Sequence, residues 1–311
     1  MVLGIGLALL LVSAGGIVTL RVLVARYERS VGQERLLDEA ARQRRTAVSG
    51  PLNYLLIGSD LRAADPESGQ RSDTIVIAHI PAGLDRAFLV SIPRDLQVEI
   101  PGHGTDKINA AFSYGRTQLL SATLTQLTGV NFDGAAIIDF SGFQKVVDLL
   151  DGVTMCVDTR TRSIHTNRLF DVGCQQMSGA VALDYARQRY DLPGGDFDRQ
   201  RHHQQLLKAI MVKASDRGLA SNPLKVDQLI RAVGSSLTVD TNGLALQDLV
   251  FSMRGMRGSD LAGLQVPAHA DSMGGTSYAL LDEPATGLFA ALSNAEVADW
   301  AAANPRWINK L

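Results

Sequence analysis

The first twenty residues, Met1 to Leu20, contain no charged side chain, and this constrains the chain more than any other segment. At about 1.5 Å of helical rise per residue they reach about 30 Å, the thickness of a bilayer's hydrocarbon core. A cleaved leader would want a basic start and a shorter apolar stretch. Neither is present, and Ser13-Ala14-Gly15 is a weak cleavage site. Residues 1–25 therefore read as a transmembrane helix. From Arg26 to Arg45 the sequence is densely charged, with few large apolar residues. Asp38 and Arg42 stand at an i,i+4 spacing that suits a solvated helix. Residues 26–51 read as a juxtamembrane stalk, broken at Ser49-Gly50-Pro51. Two signals for orientation conflict. Arg21, Arg26 and Arg29 would hold their side of the membrane in the cytoplasm. Cys156 and Cys174, the two cysteines of the chain, could close a loop as a disulfide, which persists outside it. Two separate buried thiols are the alternative.

Beyond Pro51 the sequence reads as one domain over residues 52–296, with a short tail at 297–311. Short runs rich in Ile, Val and Leu predict strands at Leu52–Ile57, Thr74–Ile80, Ala87–Ile92, Ala135–Phe140, Val153–Val157, Leu261–Val266 and Ser277–Leu281. Helical periodicity marks Ala110–Leu127, Phe143–Leu150, Gly179–Arg187, Arg199–Ala214, Leu224–Ser235, Leu244–Met256 and Pro284–Ser293. Strands alternating with helices predict an α/β fold, a mixed central β-sheet flanked by helices. The net charge of −2 offers no bulk attraction to nucleic acid, and no helix-turn-helix block stands out, so nucleic acid is not an expected partner.

Polar clusters stand at the edges of the apolar runs: Gly58-Ser59-Asp60-Leu61-Arg62, Arg71-Ser72-Asp73-Thr74, Ser91-Ile92-Pro93-Arg94-Asp95 and Lys107-Ile108-Asn109. Strand ends are where an α/β sheet presents side chains to a ligand crevice. Arginine's planar fork suits phosphate oxygens. Carboxylates in the same place would repel a phosphate unless a cation intervened, and Mg²⁺ accepts one or two carboxylates together with phosphate oxygens and water. Asp60 and Asp73 are the candidate metal ligands. Each Asp could instead pair with its neighbouring Arg, a reading that weakens when the pattern recurs at three strand ends. A second block holds Arg187-Gln188-Arg189 and, after Gly194-Gly195, Asp196 to Gln205. Asp196 or Asp198 reads as a helix cap, and Arg199, His202 and His203 are placed on one face. Adjacent histidines diverge on a helix, so His202 and His203 read as rim or surface groups rather than metal ligands. Arg187 and Arg189 could also serve only the C-terminal dipole of their helix.

These motifs, in this order, resemble the LytR-CpsA-Psr family in an actinobacterial style. The resemblance covers Leu52 to Lys213 closely and extends to the anchor. It implies a membrane-held enzyme, single-pass, with its catalytic domain on the extracellular face. Such an enzyme transfers a glycopolymer from a polyprenyl-pyrophosphate carrier to peptidoglycan through a phosphodiester bond, and can show pyrophosphatase activity. By position, Asp60 and Asp73 match magnesium carboxylates and Arg94 a catalytic arginine. Arg62, Arg71, Asp95, Lys107, Asn109, Arg187, Arg189, Arg199 and Arg201 match charged or substrate-contacting positions. Cys156 and Cys174 resemble a disulfide of actinobacterial members. His203 departs from the more usual Gln. A sugar hydroxyl would attack the glycan-linked phosphorus, with Asp60, Asp73 or Asp95 as proton acceptor, and no Ser–His–Asp set is evident. A non-catalytic envelope protein that binds lipid-linked polymer and regulates wall metabolism is the alternative.

Overall fold

The computed structural model describes residues 32–59, 72–218, 233–244, 248–249 and 252–311. The first described strand, β1 (Gly32–Gln33), is followed by β2 (Leu52–Ser59) and β3 (Ser72–Ile80). After β4 (Ala87–Ser91), a hairpin of β5 (Gln97–Ile100) and β6 (Gly104–Lys107) leads into helix α1 (Ile108–Thr128). Next come β7 (Gly134–Asp139), α2 (Phe140–Leu149) and β8 (Val153–Val157). The short strands β9 (Thr161–Arg162) and β10 (Leu169–Phe170) precede β11 (Gly173–Met177). Helices α3 (Gly179–Ala186) and α4 (Asp196–Asp216) follow, then β12 (Leu237–Asp240) and β13 (Leu261–Gln265). A hairpin of β14 (Ala268–Met273) and β15 (Thr276–Leu281), helices α5 (Pro284–Asn294) and α6 (Val297–Ala303), and β16 (Ile308–Asn309) complete the described part.

Eight strands form one sheet in the order β1-β12-β7-β2-β3-β4-β13-β16. The pairs β1/β12, β2/β7 and β4/β13 are parallel and the others antiparallel, so the sheet is mixed and helix-flanked, as the alternation of elements predicts. Strand β3 shows why its sequence is a continuous apolar run. Ile75 and Ile77 pack into a core with Phe112, Leu120 and Leu124 of α1, while Val76 and Ala78 pack on the other face beside Leu207 of α4. A strand covered on both sides has no polar face to alternate with.

The structure corrects the stalk. Leu36, Leu37 and Ala41 enter the main core, and β1 pairs with β12. Buried Asp240 fastens this segment: its Oδ2 accepts the backbone N–H groups of Leu36 (2.9 Å) and Leu37 (3.2 Å) and a guanidinium N–H of Arg42 (2.7 Å). Asp38 does not reach Arg42 along a helix but caps the short turn Glu39–Ala41, and Arg45 pairs with buried Asp133. The partner carboxylates lie about 90 to 200 positions away, beyond the reach of local pattern reading. The expected tail at 297–311 is also structured. Val297 and Ala301 join the core, Trp307 is buried, and β16 pairs with β13.

Helix α1 bends where the sequence suggests continuity: Gly115 (φ −142°) and Arg116 (φ 56°) leave helical geometry. A side chain at 115 would bring its Cβ within 2.5 Å of the Leu119 Cβ, so only glycine fits. Cys156 and Cys174 are directly opposed on β8 and β11 and form a disulfide, which settles the choice left open by their spacing. The apolar segment read as an anchor, the helix expected at Leu224–Ser235 up to residue 232, and parts of Leu244–Met256 lie outside the described residues. Among the described residues no helix is long and apolar enough to cross a membrane.

Helix α4 is locked onto the sheet by buried Gln204, whose amide nitrogen donates to the Leu89 carbonyl (2.8 Å), Ser91 Oγ (2.7 Å) and the Leu264 carbonyl (2.9 Å). Its other side meets α3, where the His202 ring stacks on Tyr185 at 4.3 Å and its Nε2 lies 3.1 Å from the Tyr185 hydroxyl. Burial lowers His202 to about 3 and His79, buried in β3, to about 4.

Two stability predictions follow from these buried groups. Replacing Asp240 by Ala leaves Arg42 without its buried partner and should cost about 3–5 kcal/mol, read as a lower urea midpoint. Acid should also destabilise the protein through its histidines. The unfolded chain takes up protons below about pH 6.5 that folded His79 and His202 refuse, so stability falls as pH drops from there. The loss levels off near the folded values of about 4 and 3. Each group contributes about 1.4 kcal/mol per pH unit inside its window. Urea denaturation of His202→Gln across this range should show a shallower pH slope.

Candidate functional site: paired arginines over an apolar cavity

A cavity of about 420 Å³ opens where the end of β2, the start of β3 and the end of β7 meet α2, α3 and α4. Its walls are mainly apolar, with Leu56, Val76, Ile138, Phe143, Leu183, Leu206 and Leu207 among the lining residues. Asp73, Arg94, Arg187, Arg189, Arg199 and His203 supply most of its polar groups. Local structure aims each of them. The turn after β4 places Arg94, held by a Leu96 N–H to Pro93 carbonyl bond (3.0 Å) and an Asn109 N–H to Arg94 carbonyl bond (3.1 Å). The Gln204 anchor sets the rotation of α4, so Arg199 and His203 turn to the cavity while His202 turns to Tyr185. The three residues expected on one face therefore divide between two.

The charged groups form one connected network. Arg94 donates to Asp73 Oδ1 at 2.5 Å, and its Nε lies 3.5 Å from Asp196 Oδ1 and 3.6 Å from Asp95 Oδ2. Arg199 contacts the same Asp196 oxygen at 2.7 Å, approaches Asp73 Oδ1 at 3.8 Å and donates to the Asp73 carbonyl at 3.2 Å. Burial disfavours charge on Arg94, yet Asp196, Asp73 and Asp95 outweigh it and hold its pKa above the ordinary arginine value. Arg199 is more deeply buried, and desolvation lowers its pKa despite Asp196. Arginine stays protonated all the same. Arg94 Nε, Arg199 Nε and Asp196 Oδ1 are buried without a well-aligned hydrogen-bond partner, so the network is incompletely satisfied.

Around this centre, Arg187 stacks on Phe140 (4.8 Å) and Arg189 on Tyr190 (4.6 Å), at the edge of the apolar lining. His203 Nδ1 lies 3.0 Å from Thr74 Oγ1, and burial together with Arg199 lowers its pKa well below the usual histidine value. It is a neutral group among cations.

The structure thus gathers Arg94, Asp73, Arg187, Arg189 and Arg199 around one cavity. Asp95 reaches the network from behind and pairs with Lys107 at 3.0 Å, and Lys107 also faces the Tyr278 ring. Asn109 is buried against the Arg94 backbone, and Arg201 pairs with Asp198 (2.8 Å) and Asp158. None of these four lines the cavity. Asp60, Arg62 and Arg71 lie outside the described residues. Sequence reasoning read Asp196 only as a cap, a position the structure gives to Gly195 without any side-chain cap bond, and passed over the aromatic walls Phe140, Phe143 and Tyr190. The i,i+3 spacing of Asp196 and Arg199 was the available signal for the first. The aromatic walls carried none, because apolar lining and apolar core look alike in sequence.

For a divalent cation, two described carboxylates line the cavity: Asp73, partly exposed, and Asp139, whose Oδ1 accepts the Gly142 N–H. Among the described residues no cluster of three or more His, Cys, Asp or Glu side chains forms a metal cage. Mg²⁺ does not require one, because it completes its shell with phosphate oxygens and water. The donor set therefore fits a cation that arrives with a phosphorylated ligand.

Comparison with known proteins agrees with the motif order. The chain is 34% identical over 217 residues to the probable cell wall biosynthesis protein LcpB of Corynebacterium glutamicum, covering 65% of this chain and 52% of that protein. It is 30% identical over 221 residues to the regulatory protein MsrR of Staphylococcus aureus, covering 70% of this chain and 65% of MsrR. The chain thus spans between half and two thirds of these relatives. Among solved structures, B. subtilis TagT superposes with a TM-score of 0.66 at 24% identity, covering 85% of this chain and 98% of that one. TagT bound to LIIa-WTA gives the same TM-score. Likeness at that identity concerns the fold. Residues 22–292 match the LytR_cpsA_psr family, and the chain belongs to it.

Proposed function

We propose that this protein transfers a glycopolymer from a polyprenyl-pyrophosphate carrier to peptidoglycan, forming a phosphodiester linkage in cell-wall assembly. The observation that carries this reading is the two-part cavity: Arg94 and Arg199 stand over walls of Leu, Ile, Val and Phe. A ligand matching both parts is an anion attached to a long apolar chain. Membership of the family, and relatives named for cell wall biosynthesis, support a glycan as the third part. The disulfide supports a domain outside the cytoplasm, and the apolar segment Met1–Leu20 supports a membrane tether.

The residues divide the chemistry. Arg94 and Arg199 hold the pyrophosphate and stabilise charge that builds on the transferring phosphoryl group and the departing lipid phosphate. Arg187 and Arg189 receive outer phosphate oxygens at the cavity edge. A sugar hydroxyl attacks the glycan-linked phosphorus, its O–P bond forms, and the bond to the lipid phosphate breaks. The hydroxyl proton passes to a carboxylate, Asp60, Asp73 or Asp95, of which Asp73 lines the cavity and Asp95 is turned toward Lys107. Bound at Asp73, with Asp60 as the second ligand, Mg²⁺ would neutralise carboxylate and phosphate charge that would otherwise repel. As the ligand enters, Asp196 must yield part of its hold on Arg94 and Arg199.

The test is release of polyprenyl phosphate from a polyprenyl-pyrophosphate-linked glycan by the full-length protein with peptidoglycan fragments and Mg²⁺. Arg94→Ala and Arg199→Ala should each lower kcat by about 10²–10³-fold. Chelation should abolish turnover, and added Mg²⁺ should restore it. Lipid binding without any release or transfer would favour a regulatory binding protein instead.

A further inference from the structure

The turn Ser163–Arg168, between β9 and β10, stands at the opening of the cavity, with Ile164 and His165 in the cavity lining. It is held from below by buried Asp184 of α3. Ser163 Oγ donates to Asp184 Oδ1 (2.6 Å), Thr166 Oγ1 donates to Oδ2, and Ser163 Oγ accepts the N–H groups of His165 and Thr166 (both 3.0 Å). The Ile164 N–H donates to Gln188 Oε1 (3.3 Å). A turn held this firmly presents its tip by construction. Among exposed polar neighbours the tip carries one exposed apolar side chain, Ile164, 55% exposed, and Tyr190, another lining residue, is 65% exposed.

Charge within the turn segment is one-sided, with exposed Asp191 beside Tyr190 as the nearby exception. From Thr159 to Phe170 the sequence has three arginines and no carboxylate. Arg160 pairs with Asp171. Among the described residues Arg162 bonds only to the carbonyl and side-chain oxygens of Asn167, and Arg168 has no ion pair. Arg189, stacked on Tyr190, extends the basic rim. Exposed Ile and Tyr ringed by arginines have the composition of a surface that enters a lipid interface, where aromatic rings sit at headgroup depth and cations meet anionic headgroups.

We propose that the Ser163–Arg168 turn and Tyr190 form a lip that docks on an anionic bilayer surface and sets the cavity opening against the membrane. Ile164 and Tyr190 enter the headgroup layer, and Arg162 and Arg168 face its phosphates. A lipid-linked ligand can then pass its chain into the apolar cavity without crossing water, so the proposal rests on the polyprenyl reading of that cavity.

The test uses full-length Ile164→Trp protein in vesicles containing brominated lipid, made of phosphatidylcholine alone or of an equal mixture with phosphatidylglycerol. Native Trp300 and Trp307 report another part of the chain and set the background. Emission from position 164 should be quenched more strongly in the anionic vesicles, and high salt should remove the excess. Arg168→Glu, and separately Arg162→Glu with Arg168→Glu, should weaken docking by about fivefold or more for each arginine lost. The single substitution leaves the Arg162–Asn167 contact in place. Equal quenching in both vesicle types, or none, would overturn the lip. Transfer from detergent-dispersed substrate, measured on the unsubstituted protein because Ile164 lines the cavity, is independent of docking. Transfer without quenching would therefore refute the lip and leave the enzyme reading intact, whereas quenching without transfer would do the reverse.

Discussion

Two guanidinium groups cannot be buried side by side without carboxylates between them, and the site is organised around that requirement. Asp196 and Asp73 each approach both Arg94 and Arg199, and Asp95 approaches Arg94 alone. Removing one member would leave an uncompensated charge in a partly desolvated place. The network is also incompletely satisfied, with Arg94 Nε, Arg199 Nε and Asp196 Oδ1 buried without well-aligned partners. Such an arrangement suits an anion that can displace part of the carboxylate set.

The sheet and its helices give this network its position. The start of β3 delivers Asp73, the turn after β4 delivers Arg94, and the first turn of α4 delivers Asp196 and Arg199. Gln204 ties α4 to β4 and β13 through three hydrogen bonds, so the helix cannot rotate without losing buried partners. One face of α4 then supplies Arg199, His203, Leu206 and Leu207 to the cavity, while His202 joins the packing against α3. Charge and apolar wall come from the same helix, one turn apart. This places an anionic head and an apolar chain within one binding site.

Much of this was legible from residues alone. Apolar runs such as Thr74–Ile80 identify strands because a strand covered on both faces has nowhere to put a polar side chain. Arg94 and Asp73 stood out because phosphate chemistry favours arginine, and a carboxylate beside it implies an intervening cation. Other elements were hidden for physical reasons. Leu36 and Leu37 look like isolated residues in a charged segment, and only the distant Asp240 makes that segment part of the core. The bend at Gly115–Arg116 depends on contacts within α1 that periodicity averages away.

The sequence by itself determined the class of fold, the chemistry of the candidate site and the cysteines available for pairing, because these depend on residue type and short-range order. Tertiary structure decided which charged residues share a cavity. Arg94 and Arg199 meet through a carboxylate, Asp196, which sequence pattern reads as a local helix cap and the structure does not use as one. Arg201, two residues from Arg199, is turned away to Asp158 and Asp198. Helical rotation separates neighbours in sequence, and sheet order joins strangers. A charged pocket is a property of that folding geometry, with its chemical components already written in the chain.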